Sequence, residues 1–322
     1  FNPRSKTNVA AYFGQSPATS RTSLLAQCSD PNQDIIILGF LTAVSYNASG
    51  LPRLELSSSC PNAPTPLMAQ YAPGLAHYAL LEEEIKLCQA RYGKKVLLSI
   101  GGSGKVLELR SESEARGVAD LVWGLFGPVG GLDGGLRPFG GAVVDGFDLD
   151  KSDSRPAYWD VFGAQLRARF AQDTTKDYFL SAAPQCSFPD PSIPLGYLLQ
   201  SNFVWPQFFN SPSCDTSSDS FLDSLTVWSR ALSPGLSPLR DASAHSTRFF
   251  IGLPSWAAAA PSAYAGFGGH PRGLIPLAHQ IKSSLFSHGN LGGFMFWDGP
   301  EGQENVQDGL SILGWAKRGL WG

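Results

Sequence analysis

Eight short apolar runs punctuate the chain, at residues 9–13, 35–41, 96–100, 142–149, 178–182, 203–208, 249–253 and 293–296. Strict apolar/polar alternation is lost in them, as in strands covered on both faces. Between most of them lie stretches with apolar residues at helical spacing, such as 75–90, 114–125, 157–171, 220–231 and 274–286. These predict helices. Strand and helix alternating eight times predicts an α/β chain closed into a single (β/α)8 TIM barrel, one domain over residues 1–322. A doubly wound open sheet shares this alternation, but no G-x-G-x-x-G follows the first run, which weakens its dinucleotide-binding form. Gly/Pro-rich tracts at 127–141 and 254–273 read as barrel loops, and neither an internal repeat nor a second domain is visible. In a barrel of this kind the chemistry sits where strands end and loops begin.

Composition narrows the partners. Apolar residues make up 43% of the chain, enough for a large core, while charged residues make up only 16%, against roughly 25% in an average soluble protein. The surface must therefore rely on Ser, Thr, Asn, Gly and Pro. A net charge of −3 without a basic cluster argues against nucleic acid, whose phosphates need Lys and Arg. No apolar run approaches the roughly 20 residues needed to cross a bilayer, so no membrane partner is expected. The first residues, Phe1 to Lys6, carry no apolar leader core, as in a chain that has lost its signal peptide or never had one. Cysteines at 28, 60, 88, 186 and 214 and the sequon Asn47-Ala48-Ser49 favour the secretory pathway and an extracellular location.

The richest segment for chemistry is Val144-Asp145-Gly146-Phe147-Asp148-Leu149-Asp150-Lys151-Ser152. Alternation along a strand sends Asp148, Asp150 and Ser152 to one side, and Phe147, Leu149 and Lys151 to the other. Carboxylates this dense on a strand are costly to bury unless bonded, paired or functional. An isolated D-x-D reads equally as a solvated strand end; the D-G-x-D-x-D frame after apolar residues, on the fourth strand, favours a functional site. The histidines at 77, 245, 270, 279 and 288 form no H-E-x-x-H or similar motif, so no metal site is expected. Neither a phosphate-binding glycine loop nor a G-x-S-x-G elbow is present, so no cofactor is expected and Ser152 does not read as a nucleophile.

The D-G-x-D-x-D frame resembles the D-G-x-D-x-D-x-E motif of glycoside hydrolase family 18. The rest of the chain resembles that family's class III branch, of hevamine-type plant enzymes and fungal endochitinases. Val9-Ala10-Ala11-Tyr12-Phe13-Gly14-Gln15 is similar to its first strand, and Ser99-Ile100-Gly101-Gly102 to its S-x-G-G third strand. Ser181-Ala182-Ala183-Pro184-Gln185-Cys186 matches its A-A-P-Q-C stretch. Val204 to Asn210 resembles the sixth strand, and Gly292 to Trp297 the eighth. The motifs occur in order over nearly the whole chain. The resemblance implies disulfides Cys28–Cys88 and Cys186–Cys214, with Cys60 matching half of a third pair and left as a free thiol or an intermolecular link.

It also implies substrate-assisted hydrolysis, in which a Glu protonates the glycosidic oxygen and the substrate's own acetamido group attacks the anomeric carbon. An Asp and a strand-six Tyr hold that acetamido group. Asp148 and Asp150 match the family aspartates, but the Glu falls on Ser152 and the Tyr on Phe209. A serine hydroxyl titrates far above neutral pH, and general acid catalysis contributes about 10²- to 10⁴-fold, or roughly 3 to 5 kcal/mol of barrier. Asp153 and Lys151 are turned away by alternation and do not replace the acid. With both the Glu and the Tyr lost, the pattern reads as decay of catalysis, leaving no intact catalytic residue.

What remains implies sugar binding: Trp297 as the floor under the central sugar, Tyr12 and Phe40 at the base, and Gly101 and Gly102 permitting close approach. Gln207 would bond through its amide, Asp148 and Asp150 would receive the acetamido N–H, and Phe209 would reshape that pocket. Trp256 is a further candidate. The leading expectation is an inactive, monomeric chitinase-like protein binding chitin oligosaccharides, and fungal relatives of this kind suggest sequestration of chitin fragments from host receptors. The competing expectations are a slow endochitinase and a protein-binding glycosidase inhibitor on the same barrel.

Overall fold

The computed structural model describes residues 1–15, 22–46, 49–57, 60–128, 130, 134–233, 247–266, 273–285 and 289–321. Its elements run β1 (Asn8–Phe13), α1 (Leu24–Ser29), β2 (Ile35–Tyr46), β3 (Leu51–Leu54), α2 (Pro66–Tyr71), α3 (Ala79–Ala90), β4 (Lys95–Gly101) and α4 (Glu112–Phe126). They continue β5 (Gly146–Asp150), α5 (Trp159–Phe170), β6 (Phe179–Ala182), α6 (Leu195–Gln200), β7 (Phe203–Val204), α7 (Phe221–Leu232), β8 (Arg248–Pro254) and α8 (Leu274–Leu285). The last are β9 (Leu291–Trp297), α9 (Gly299–Glu304), β10 (Val306–Gln307), β11 (Leu310–Ser311) and α10 (Ile312–Trp321). The parallel ladder runs β1-β2-β4-β5-β6-β7-β8-β9 and returns to β1, closing an eight-stranded barrel ringed by helices. β3 is an antiparallel hairpin partner appended to β2.

Alternation along the strands builds two cores. Ala10, Tyr12, Ile35, Ile37, Leu97, Phe203, Phe250 and Met295 point inward and fill the barrel. Their neighbours Val9, Ala11, Ile36, Leu38, Val96, Leu98, Phe147 and Leu149 point outward and pack under the helices. Burial on both faces is why the strands lack a polar side. Helices begin where a side chain satisfies an orphan N–H: Ser23, Thr65, Ser111 and Asp298 cap α1, α2, α4 and α9.

Several predicted boundaries shift, three of them for a reason visible in the structure. The run at 142–149 is a strand only from Gly146, because the Asp145 carboxylate takes the Val96 N–H at 2.9 Å and ends the approach loop there. The run at 203–208 keeps only Phe203–Val204 in the ladder. Pro206 lacks an N–H to donate, and Gln207 makes isolated bridges to Gln185 and Gly252. The helix expected from 75 starts at Ala79, since His77 pairs in antiparallel fashion with Ala63. The described residues of the Gly/Pro tract before β5 gather around Arg137, which is 1% exposed and donates to the carbonyls of Gly124, Gly127 and Gly140.

Disulfides join Cys28 to Cys88 and Cys186 to Cys214, as the resemblance implied. The first ties α1 to α3; the second ties the loops that follow β6 and β7. Cys60 is in neither and is buried at 2% exposure, which speaks against the intermolecular link. Asn47 and Ala48 of the sequon lie outside the described residues, as do His245, His270 and His288. Among the described residues no helix is long and apolar enough to cross a membrane, and no group of three or more His, Cys, Asp or Glu could hold a metal ion.

Candidate functional site

Register assembles the site. Ser99 of β4 lies beside Asp148 of β5, and Asp148 beside Ser181 of β6. The Asp148 carboxylate is completely buried and accepts hydrogen bonds from the hydroxyls of Tyr12, Ser99 and Ser181, each at 2.7 Å. Three donors offset much of the cost of burying it, yet burial still raises its pKa. Burial, followed by the charges of Asp148 and Asp150, likewise pushes the Tyr12 phenol well above its usual range.

Two residues on, Asp150 reaches the cleft. Gln207 Nε2 donates to Asp150 Oδ1 at 2.8 Å and to the Ala183 carbonyl at 3.0 Å. Burial pushes Asp150 up to about 7, with the neighbouring Asp148 charge adding to the effect. The strand crowds closely here: a Cβ on Gly101 (φ +127°) would sit 1.7 Å from the Asp150 carbonyl oxygen. Gly102 donates its N–H to that same carbonyl at 2.9 Å, and a Cβ on it would meet the Phe40 ring. Both glycines are thus required by strand-to-strand packing, a reason the sequence did not offer.

A cleft of about 340 Å³ opens above Asp150 at the C-terminal end of the barrel. Tyr12, Asp150, Ser152, Gln207, Phe209 and Trp297 line it, as the sequence suggested; Ser103, Gln185, Asn210, Ala259 and Met295 line it without having been singled out. Among the described lining residues Asp150 is the one carboxylate. Phe40 forms a second layer, stacked on Trp297 at 5.9 Å and tilted against Tyr12 at 5.7 Å. Asp148 lies below the cleft under Tyr12. Phe209 is 7% exposed and packs with Ala260, Ala263 and Trp297 into an apolar wall. Trp256 follows β8 but is not among the lining residues.

Ser152 is exposed at the cleft, whereas its neighbours turn away. The Lys151 and Asp153 side chains are 0% and 5% exposed and form an ion pair with each other. Lys151 also lies over the Trp159 ring, and burial lowers its pKa. Asp153 further accepts the N–H groups of Leu107 (2.6 Å) and Arg155 (3.1 Å). Asp190, in the loop after β6, is occupied by the N–H groups of Gln185, Ser192 and Ile193. Ser99, Ser181 and Gln185 stood in motifs that carried the resemblance, but their part in the site follows from register, which sequence spacing does not give.

No family model matches the chain. A Saccharomyces cerevisiae protein named "Endochitinase" is 32% identical over 312 residues, covering 96% of this chain and 49% of its own length. The chain therefore spans about half of that relative. "Endochitinase 3" of Metarhizium anisopliae is 31% identical over 305 residues, covering 93% of this chain and 94% of its own. Among solved structures, the xylanase-alpha-amylase inhibitor protein XAIP-I, in complex with trehalose, superposes with a TM-score of 0.72 at 26% identity, covering 98% of each chain.

Proposed function

Because the chain belongs to glycoside hydrolase family 18, alongside the fungal endochitinases, we propose that it is a chitinase-derived protein that grips N-acetylglucosamine oligomers in the barrel cleft without cleaving them. The observation that carries this reading is the set of acids at the cleft. Ser152 stands where the family's general acid would be, and Asp150 is the one carboxylate among the described lining residues. Asp153 is held by Lys151 and two backbone N–H groups, so no second carboxyl is offered to a glycosidic oxygen. Phe209 supplies a ring where the family has a hydroxyl that steadies the acetamido group. Binding elements persist beside these losses. Trp297, backed by Phe40 and Tyr12, offers an aromatic floor for the C–H face of a sugar, and Asp150 offers an acceptor for an acetamido N–H.

A barrel held by two disulfides presents this cleft already formed, which lowers the ordering cost of binding. A secreted monomer with such a site would retain chitin fragments, and in a fungal setting would keep them from host receptors.

One observation favours slow hydrolysis instead: Asp150, pushed up to about 7, carries a proton for part of the time near neutral pH. The likeness to XAIP-I favours a third reading, recognition of another protein through the loops. Calorimetric titration with chitotetraose through chitohexaose separates binding from that third reading. A saturable heat that Trp297→Ala weakens about tenfold or more supports the sugar cleft. The absence of heat at millimolar ligand sinks it in favour of protein recognition.

A further inference from the structure

A second cavity, of about 230 Å³, lies across the turn that follows β8 from the main cleft. Ala260 and Ala263 of that turn pack against Phe209 and Trp297 on the cleft side. Ser262 and Tyr264, on either side of Ala263, line the other cavity. Thr216 Oγ1 donates to the Ala263 carbonyl at 2.7 Å and so fastens this turn to the loop after β7.

The lining has a definite chemical character. Hydroxyls come from Thr216, Ser218 and Ser262, a carboxylate from Asp219 and an amide from Gln280. Tyr264 and Phe221 supply ring surface. Among the described lining residues there is no Lys, Arg or His, so the cavity has no counter-charge for a phosphate or a carboxylate. Several hydroxyls and an amide around two aromatic side chains suit a neutral polyol, which presents many hydroxyls and an apolar C–H face.

The cavity is also built on rigid parts. The Cys186–Cys214 disulfide anchors the loop just before Thr216. Asp215, completely buried, accepts the Ser211 N–H (3.3 Å), the Ser217 N–H (3.0 Å) and the Ser217 hydroxyl (2.5 Å). The Tyr264 hydroxyl accepts a hydrogen bond from Asn305 Nδ2 at 2.7 Å, which fixes the ring and leaves its O–H as a donor.

We propose that this cavity is a second saccharide site, seating one neutral sugar ring against Tyr264 with its hydroxyls bonded to Asp219, Gln280 and the flanking Ser and Thr side chains. One turn separates it from the cleft, so a chain carrying both sites would hold a sugar polymer more tightly than either alone.

The test uses the full chain with methyl-labelled alanine and leucine, titrated with N-acetylglucosamine and followed by NMR. Leu222, Leu277 and Ala265 report on this cavity, and Ala259 reports on the cleft. The expected result is a saturable shift of the first three methyls, in the native chain and equally in a cleft variant carrying Asp150→Asn. Ser262→Ala with Gln280→Ala, both at exposed positions, should weaken that response about fivefold or more while leaving the Ala259 shift intact. Two results overturn the proposal: no movement of the three methyls up to about 100 mM sugar, or movement that the paired substitution leaves unchanged. A silent Ala259 beside responding Leu222 and Leu277 would count against the cleft alone, so failure of the two sites is told apart.

Discussion

Gln207, in the segment that follows β7, holds Asp150 at the end of β5 by its side-chain amide, Nε2 to Oδ1 at 2.8 Å. The same nitrogen donates to the Ala183 carbonyl at 3.0 Å, so both of its protons are directed into the protein. The sequence suggested that this amide would bond to sugar; the geometry gives its N–H groups a further part, fixing the rotamer of the cleft's carboxylate. Hydrogen bonds to a charged group contribute about 1.5 to 3 kcal/mol. Gln207→Leu should therefore lower the unfolding free energy by about that amount and weaken chitotetraose binding about tenfold, measured by urea unfolding and by calorimetry. Unaltered affinity would show that Asp150 needs no orienting partner.

The carboxyl of Asp150 also gives the protein a pH dependence. Its pKa is about 7 in the folded chain and about 3.9 in an unfolded one. The folded state then binds more protons between those values, so its stability is greatest below about pH 4 for this group and falls as pH rises to about 7. Ligand binding has the opposite sign, because an acetamido N–H is accepted by the anion, so affinity should rise as pH passes upward through about 7. Asp150→Asn should flatten both trends, read from denaturant melts and from titrations across that range. A native chain whose affinity is constant across the range would contradict the assignment of Asp150 as acceptor.

Much of the fold was legible because burial on both faces writes a strand as a mainly apolar run; β5, interrupted by Asp148 and Asp150, departs furthest from that pattern, and it is the strand that carries the site. What escaped was short or relational. Helices α1, α2, α6 and α9 have six residues each, too few to display a helical period. β7 was overextended because Trp205 and Phe208 are as apolar as a ladder residue while Pro206 withdraws a donor. In the site, the D-G-x-D-x-D frame exposed Asp148 and Asp150, but the hydroxyl ring of Tyr12, Ser99 and Ser181 comes from three different strands. Their convergence depends on barrel register, which no local spacing encodes. Alternation did place Lys151 and Asp153 away from the cleft; that they pair with each other is visible only in three dimensions.

That pair carries its own prediction. Both side chains are almost wholly buried, so removing one partner leaves an uncompensated charge. Lys151→Met should destabilise the protein by about 3 kcal/mol in urea unfolding, in the range for a broken buried pair. Asp153 also secures the backbone of Leu107 and Arg155, so Asp153→Ala should cost at least as much. A change near zero for Lys151→Met would mean that the pair contributes nothing net.

Ser152 stands where the family's general acid would meet the glycosidic oxygen, and one assay tests whether hydrolysis is lost with that acid. Chitohexaose is incubated with the native chain and with a Ser152→Glu, Phe209→Tyr variant, and the mixtures are separated by chromatography over time. The hexamer should stay intact with the native chain and give shorter oligomers with the variant, faster by about 10²-fold or more. Rapid release of shorter oligomers by the native chain, abolished by Asp150→Asn, would contradict that loss of hydrolysis.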